Sequence, residues 1–273
     1  MKNIKLLVGT ERGISMVEML IALFMTALVL SALFGVYINQ HKNWMIQEDV
    51  TEIQQNARAA IDELTRQIRM AGNGLPLGLP GIEASNTNPD TITINYSSSG
   101  CQSPIEHAMP LPSSELRCDG HDISCFHDSQ YVYIFSPDSG GGEFFEITEV
   151  QVAAYHIQHN TTSLSRLYPQ GSIVLQMEQL KYYIDRSDTA HPNLMLKLPG
   201  QAAQVYAENV EDLQFQYTMK NGATVNLPAI VDDIRAVEIT LVARSSRTDA
   251  SFANQYRRRT FNSVVNLRNF TSE

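Results

Sequence analysis

From Ile14 to Ile38 the chain runs 25 residues with a single formal charge, Glu18. No other stretch restricts the fold so tightly. A helix rises ~1.5 Å per residue, so a run of this length crosses the ~30 Å hydrocarbon core of a bilayer. Besides Glu18, its polar members are Ser15, Thr26 and Ser31, hydroxyls that a helix satisfies by bonding back to its own carbonyls. Lys2, Lys5 and Arg12 precede the run against one acid, Glu11, while Glu48, Asp49 and Glu52 follow it. The positive-inside bias then puts the N-terminus in the cytoplasm and the bulk of the chain outside. A secretory signal peptide has an apolar region of ~7–15 residues and a cleavage site at its far end. This run is longer and continues without a loop into a second helical stretch. A plain signal anchor fits the length but leaves Glu18 unexplained, since a carboxylate in an apolar segment costs a few kcal/mol and asks for a partner.

Beyond the span, Ile46, Val50, Ile53, Ala57, Ala60/Ile61, Leu64, Ile68 and Ala71 recur at spacings of three and four. That is one apolar stripe on a helix, with Glu52, Gln55, Arg58, Asp62 and Arg66 largely off it. Gly72-Asn73-Gly74, with Pro76 close behind, supplies the stop. The spacing predicts one helix over 14–71, on the order of 85 Å long at ~1.5 Å per residue. It is apolar all round in residues 14–38 and amphipathic in 39–72, where one face must be buried against a folded domain.

Residues 73–273 read as that domain. Residues 72–90 read as loop. Strands are expected at Thr91–Tyr96, Tyr131–Phe135, Phe144–Val152, Ile173–Ile184, Leu194–Leu198, Leu213–Met219, Ala236–Ala243 and Thr260–Leu267. Leu213-Gln214-Phe215-Gln216-Tyr217 and Val237-Glu238-Ile239-Thr240-Leu241 alternate with period two. Lys220-Asn221-Gly222 marks a hairpin turn. Ser97–Asp128 is the least regular stretch. The fold class is therefore α+β: one long N-terminal helix, its first half membrane-spanning and its second half packed on antiparallel sheets.

The string around Glu18 is Glu11-Arg12-Gly13-Ile14-Ser15-Met16-Val17-Glu18, with a glycine before the apolar run and a glutamate fifth within it. It resembles the signal of type IV prepilins and of the pseudopilins of type II secretion. The resemblance implies that residues 1–13 are a leader, cut between Gly13 and Ile14 by a prepilin peptidase, with methylation of the new N-terminus. Family members often begin with Phe or Met, so Ile14 departs from the pattern. Glu18 would then serve subunit assembly, its carboxylate neutralising the α-ammonium of a neighbouring subunit when helices bundle. Arg66–Gly72, Glu208–Tyr217, Val237–Ser245, Arg257–Phe261 and Asn266–Asn269 are similar to the PilW-like minor pilins, relatives of the larger minor pseudopilin J. The likeness covers both ends of the chain and fades over roughly 75–165. It implies a low-copy structural subunit that primes or caps a type IV pilus, and a length of 273 residues is bulky for a repeating one. The alternatives are a J-like minor pseudopilin of type II secretion and a membrane-tethered adhesin or binding protein. The partners implied are other minor pilins, the major pilin, the prepilin peptidase and the inner-membrane assembly platform, besides the membrane itself. The location implied is single-pass in the inner membrane before assembly, then the pilus tip or base at the cell surface. The family's major pilins often carry a helix-kinking proline in the apolar half; here no proline precedes Pro76.

Cys101, Cys118 and Cys125 fall within 25 residues, among His107, His121 and His127. Cys118-x-x-His121-x-x-x-Cys125-x-His127 has zinc-ligand residue types but no Cys-x-x-Cys knuckle. An oxidising compartment favours a disulfide, for which Cys118–Cys125 closes the shortest loop, although spacing alone does not fix the pairing. Ser139–Glu143 is glycine-rich but lacks the Lys-Ser/Thr and helix of a phosphate loop. Asp232-Asp233 with Glu211 or Asp212 offers calcium-type oxygens without a ligand loop. No nucleophile–base–orienter set can be assembled, so neither an enzyme, a cofactor nor a metal is expected. The net charge of −9 speaks against nucleic-acid binding, and Arg257–Arg259 reads as a solvated guard on a sheet edge.

Overall fold

The computed structural model describes residues 13–76, 78–138, 140–159, 163–249 and 252–268. Residues 1–12, part of the expected leader 1–13 and including Lys2, Lys5, Glu11 and Arg12, lie outside the described residues. The chain divides into two compact units at Val50/Thr51, within the amphipathic part of the expected helix.

Helix α1 spans Met16–Met70, two residues inside the expected start and one inside the expected end, within the usual uncertainty of helix ends. In the first unit its apolar side chains, Ile14 through Tyr37, are solvent-exposed. Among the described residues it is long and apolar enough to cross a membrane. In the second unit the stripe does what its period requires: Ile53, Ala57, Ala60, Ile61, Leu64 and Ile68 are buried, while Ile46 and Val50, in the first unit, are partly exposed. The helix ends at a left-handed Gly72 (φ 77°). Two residues on, Gly74 has φ +66°, and a Cβ there would lie 2.5 Å from the carbonyl oxygen of Ser97. Only glycine tolerates both conditions.

The strands follow in chain order. The first are β1 (Ile82–Ser85), β2 (Thr91–Tyr96), β3 (Gln102–Pro104), β4 (Leu116–Arg117), β5 (Tyr131–Phe135), β6 (Gly142–Glu146), β7 (Glu149–Gln151), β8 (His156–Gln158) and β9 (Ile173–Leu175). Then come β10 (Glu178–Asp185), β11 (Asn193–Lys197), β12 (Gln204–Ala207), β13 (Val210–Met219), β14 (Thr224–Val225), β15 (Ile234–Asp249) and β16 (Gln255–Asn266). They build antiparallel sheets ordered β1-β2-β10-β11-β12, β14-β13-β15-β16, β3-β9-β5-β6 and β4-β8-β7.

The first two sheets and the second half of α1 share one core. Inward residues alternate along β13 and β15, and the register sets Leu213 opposite Leu241, Phe215 opposite Ile239 and Tyr217 opposite Val237. Fully burying such a side chain contributes roughly 1.5–3 kcal/mol. Polar contacts align the helix on these sheets: Tyr96 donates its hydroxyl to Gln67 Oε1 at 3.0 Å, and the Thr65 and Ser263 hydroxyls meet at 3.2 Å. Asp90 joins the two sheets. Its backbone N–H donates to the Leu213 carbonyl at 2.8 Å, and its Oδ2 accepts the Phe215 N–H at 2.8 Å. One residue thereby stands in for a neighbouring strand along the part of β13 that the short β14 does not cover.

A second core lies within residues 101–174, from Cys101, Ile105, Leu116, Cys118, Ile134 and Val174 among others. Here the sequence reading and the structure differ. The expected strand Ile173–Ile184 is two strands, because β9 pairs with β3 and β5 while β10 pairs with β2 and β11. The chain changes sheets at Gln176–Met177. The expected strand Phe144–Val152 is β6, β7 and the start of a 3-10 turn at Val152–Ala154. β1 occupies part of the expected loop 72–90. The Lys220–Gly222 turn does join β13 to β14, with the Gly222 N–H donating to the Met219 carbonyl at 2.9 Å.

Candidate functional site: the start of the apolar helix

At the N-terminal end of α1, Ser15 and Glu18 form a reciprocal pair. The Ser15 N–H donates to Glu18 Oε2 at 2.9 Å, and the Glu18 N–H donates to Ser15 Oγ at 3.2 Å. This is a capping box, which satisfies backbone donors that the first helical turn would otherwise leave open. The carboxylate also lies where the helix dipole favours negative charge. Glu18 thus has a partner within its own turn. Ser15 therefore differs from the other two hydroxyls of the span: Thr26 and Ser31 do bond back, to the carbonyls of Ala22 and Leu28 at 2.7 and 2.9 Å, whereas Ser15 caps. The Ser-x-x-Glu spacing carries that signal in the sequence.

Gly13 and Ile14 precede the helix and are exposed. A Cβ built on Gly13 meets nothing within 4 Å, and its backbone is not in the left-handed region. Among the described residues, nothing in conformation or packing demands glycine at this position. The bond between Gly13 and Ile14 lies just outside the first helical turn, where a peptide can be gripped without unwinding a helix.

The cysteines pair differently from the shortest-loop expectation of Cys118–Cys125. Cys101 is bonded to Cys125, with Cα atoms 5.9 Å apart, and Cys118 is a buried free thiol. Tertiary packing decides this. Cys118 follows β4 and its N–H donates to the Tyr155 carbonyl at 2.8 Å, holding it in the second core, where burial pushes its thiol pKa up. Cys101 enters β3 across from β9, and its carbonyl accepts the Gln176 N–H at 2.9 Å. The zinc-type string is dispersed accordingly. Cys125 is consumed in the disulfide, and His121 Nε2 sits 2.8 Å from Glu106 Oε1, which holds that carboxyl below its usual range. Among the described residues no group of three or more His, Cys, Asp or Glu side chains is placed to hold a metal.

Asp232 and Asp233 lie in a 3-10 turn before β15, beside the Met219–Ile234 end of the ladder. Glu211 and Asp212 lie near its other end, seven residues away along β13 or ~23 Å at ~3.3 Å per residue. These acids do not converge. Gly140 to Gly142 form the turn between β5 and β6, where the Gly140 N–H donates to the Ser136 carbonyl at 3.0 Å; Ser139 lies outside the described residues. β16 is indeed an edge strand, but its arginines are engaged within the sheet. Arg257 Nε donates to Asp249 at 2.7 Å and Arg258 Nε to Glu211 at 2.6 Å, while the Arg259 guanidinium stands 5.7 Å from the Phe261 ring centre. The Arg258 contact holds the Glu211 carboxyl below its usual range.

Comparison with protein-family models, with curated proteins and with solved structures finds no match to this chain.

Proposed function

We propose that this chain is a minor pilin of a type IV pilus: a structural, non-enzymatic subunit, held in the inner membrane with its N-terminus in the cytoplasm, that helps prime or cap the filament. The observation that carries the reading is the start of α1. A glycine for which the described residues give no structural reason precedes an exposed apolar span, and the single carboxylate of that span sits at the capped first turn of α1. A peptidase that requires glycine before the cut supplies the reason for Gly13. Assembly supplies the reason for an apolar surface continuous from Ile14 to Tyr37, because such a helix can exchange lipid for the helices of neighbouring subunits. Removal of residues 1–13 takes away three basic residues and one acid, moving the net charge from −9 to −11 and leaving an acidic subunit with no attraction to nucleic acid.

Co-expression with a prepilin peptidase tests this. Mass spectrometry is expected to show a mature N-terminus at Ile14, and Gly13→Ala to block processing. Processing elsewhere, or none, overturns the reading. Glu18 separates two roles for its carboxylate. Glu18→Gln keeps an acceptor for the capping box but removes the charge, whereas Glu18→Ala removes both. If the charge neutralises a neighbour's α-ammonium, both variants lose incorporation into pili. Full incorporation of Glu18→Gln leaves capping as its only role.

A further inference from the structure

The far end of the apolar span carries a feature that neither leader processing nor assembly accounts for. Tyr37, His41 and Trp44 lie along one stripe of α1 and stack in series. The Tyr37 and His41 ring centres are 6.1 Å apart with planes 1° from parallel, and those of His41 and Trp44 are 5.9 Å apart at 20°. Tyr37 and Trp44 are both more than half exposed. Lys42, the first formal charge after Glu18, lies beside the stack. Large exposed rings with polar edges, next to a cation and directly after an apolar run, match the chemistry of the bilayer headgroup region, where Trp and Tyr concentrate.

Spacing makes the match quantitative. Glu18 and Tyr37 are 19 residues apart on the helix, ~28 Å at ~1.5 Å per residue, close to the ~30 Å hydrocarbon core. Ser15 and Trp44 are 29 residues apart, ~43 Å, within the ~40–45 Å that includes both headgroup layers. The capping box and the aromatic stack are thus separated by one bilayer.

We propose that α1 sits in the membrane in a register fixed at both faces, with the Ser15–Glu18 capping box at one headgroup layer and the Tyr37–His41–Trp44 stack in the other. The occupant of this aromatic stripe is lipid headgroup, and Glu18 in the unassembled chain lies at an interface and not within hydrocarbon. Its charge is then solvated on one side and capped on the other, which removes the insertion cost expected of a carboxylate at mid-span. The inference rests on α1 spanning a bilayer and is independent of the pilin reading, so either can fail alone.

Trp44 is the only tryptophan of the chain, so its emission reports the register directly. The full-length protein would be reconstituted into phosphatidylcholine vesicles containing lipids brominated either near the headgroup or near the acyl-chain end. Trp44 is expected to be quenched at least twofold more by the shallow bromines. Two further proteins carry Trp44→Phe with the tryptophan moved to Leu28 or Met19, both lipid-facing side chains that are more than half exposed. Leu28→Trp, midway between the two markers, should show the opposite preference, and Met19→Trp should again be shallow. Deep quenching of Met19→Trp equal to that of Leu28→Trp would place Glu18 in hydrocarbon and overturn the register. Trp44 unquenched by either lipid would overturn it as well: water-like emission would put the stack beyond the membrane, and blue-shifted emission would put it under protein.

Discussion

Asp90 is the residue whose removal should tell most about how the outer domain is held together. It is 2% exposed, and its carboxylate accepts the Phe215 N–H at 2.8 Å and the Thr87 N–H at 3.0 Å. Phe215 is fully buried, so in Asp90→Ala its N–H faces neither water nor another acceptor. Stranding a buried donor costs about 1–3 kcal/mol. Thr87 is exposed, and water replaces its lost bond at little cost. The net loss should be about 2 kcal/mol, or about 4–8 °C in Tm for a folded unit of this size. Asp90→Asn can turn its carbonyl to Phe215 and its amide to the solvent side, so it should lose less than half as much. Burial raises the Asp90 carboxyl above its usual range, against the opposing donation from Phe215 and Thr87. A raised folded-state pKa means that the native state holds its proton longer than the unfolded one. Stability of the wild type therefore falls as pH climbs from about 4 through the folded pKa and is flat above it. Asp90→Asn lacks that component, so the difference between the two proteins isolates it from carboxylates with lowered pKa, such as Glu63 and Glu211. The measurement is urea or thermal unfolding of the full chain in detergent, followed by near-UV circular dichroism of the tyrosines, since Trp44 lies outside the outer unit. A loss below 0.5 kcal/mol for Asp90→Ala, or a wild-type advantage over Asp90→Asn that grows between pH 4 and 7, would refute the reasoning.

Two other perturbations test neighbouring parts of the argument. Non-reducing peptide mapping should recover Cys101 linked to Cys125 and should do so unchanged in Cys118→Ala; the double change Cys101→Ser/Cys125→Ser releases a loop of sequence separation 24 and should lower stability by about 3 kcal/mol. Gly74→Ala combines a left-handed backbone with a Cβ 2.5 Å from the Ser97 carbonyl oxygen and should cost about 2 kcal/mol or more; a change within 0.5 kcal/mol would mean that the chain there moves freely off β2.

How much of this could be read from the residues depended on whether the cause was local. α1 was legible because an apolar run passes without a break into a stripe of spacing three and four, and because Gly72 and Gly74 punctuate its end. β2 and β5 have the bounds that their composition predicts, and the cores of β13 and β15 follow from strict alternation. The strands that the sequence does not announce, β1, β3, β4, β8, β12 and β14, are two to four residues long, too short for a period to establish, and exist through their partners. The split between β9 and β10 is of the same kind, since Gln176-Met177 between them contains no glycine or proline to mark a change of sheet. The cysteine pairing failed for a related reason. Loop length favours Cys118–Cys125, but Cys118 is held by Tyr155 and Cys101 by Gln176, contacts from residues 37 and 75 positions away in the sequence. The capping box was a different failure: Ser-x-x-Glu was in plain view, and the expectation of a remote partner for Glu18 hid the local one.

That local partner changes what the glutamate has to do under the proposed function. If Glu18 had no contact before assembly, every free subunit would carry a costly bare charge in its apolar segment, and the charge would be tolerated only for its later use. The capping box removes that difficulty, because the same carboxylate stabilises the start of its own helix by about 1 kcal/mol. Processing at Gly13–Ile14 then adds an α-ammonium beside a helix N-terminus, where the dipole disfavours positive charge. A carboxylate one turn away offsets that too. When helices bundle, Glu18 can turn from its own Ser15 N–H to a neighbour's ammonium, trading a neutral donor for a full positive charge in a drier setting where the attraction between opposite charges is less screened. The exchange starts from a satisfied state and ends in a better one, with no step at which the charge stands alone. On this account Ser15 matters to the free subunit and Glu18 to both states. Ser15→Ala should therefore lower the membrane-inserted amount of subunit while the subunit that does insert is still built into pili, and Glu18→Gln should do the reverse; equal loss at both steps in both variants would show that capping and pairing are not separable.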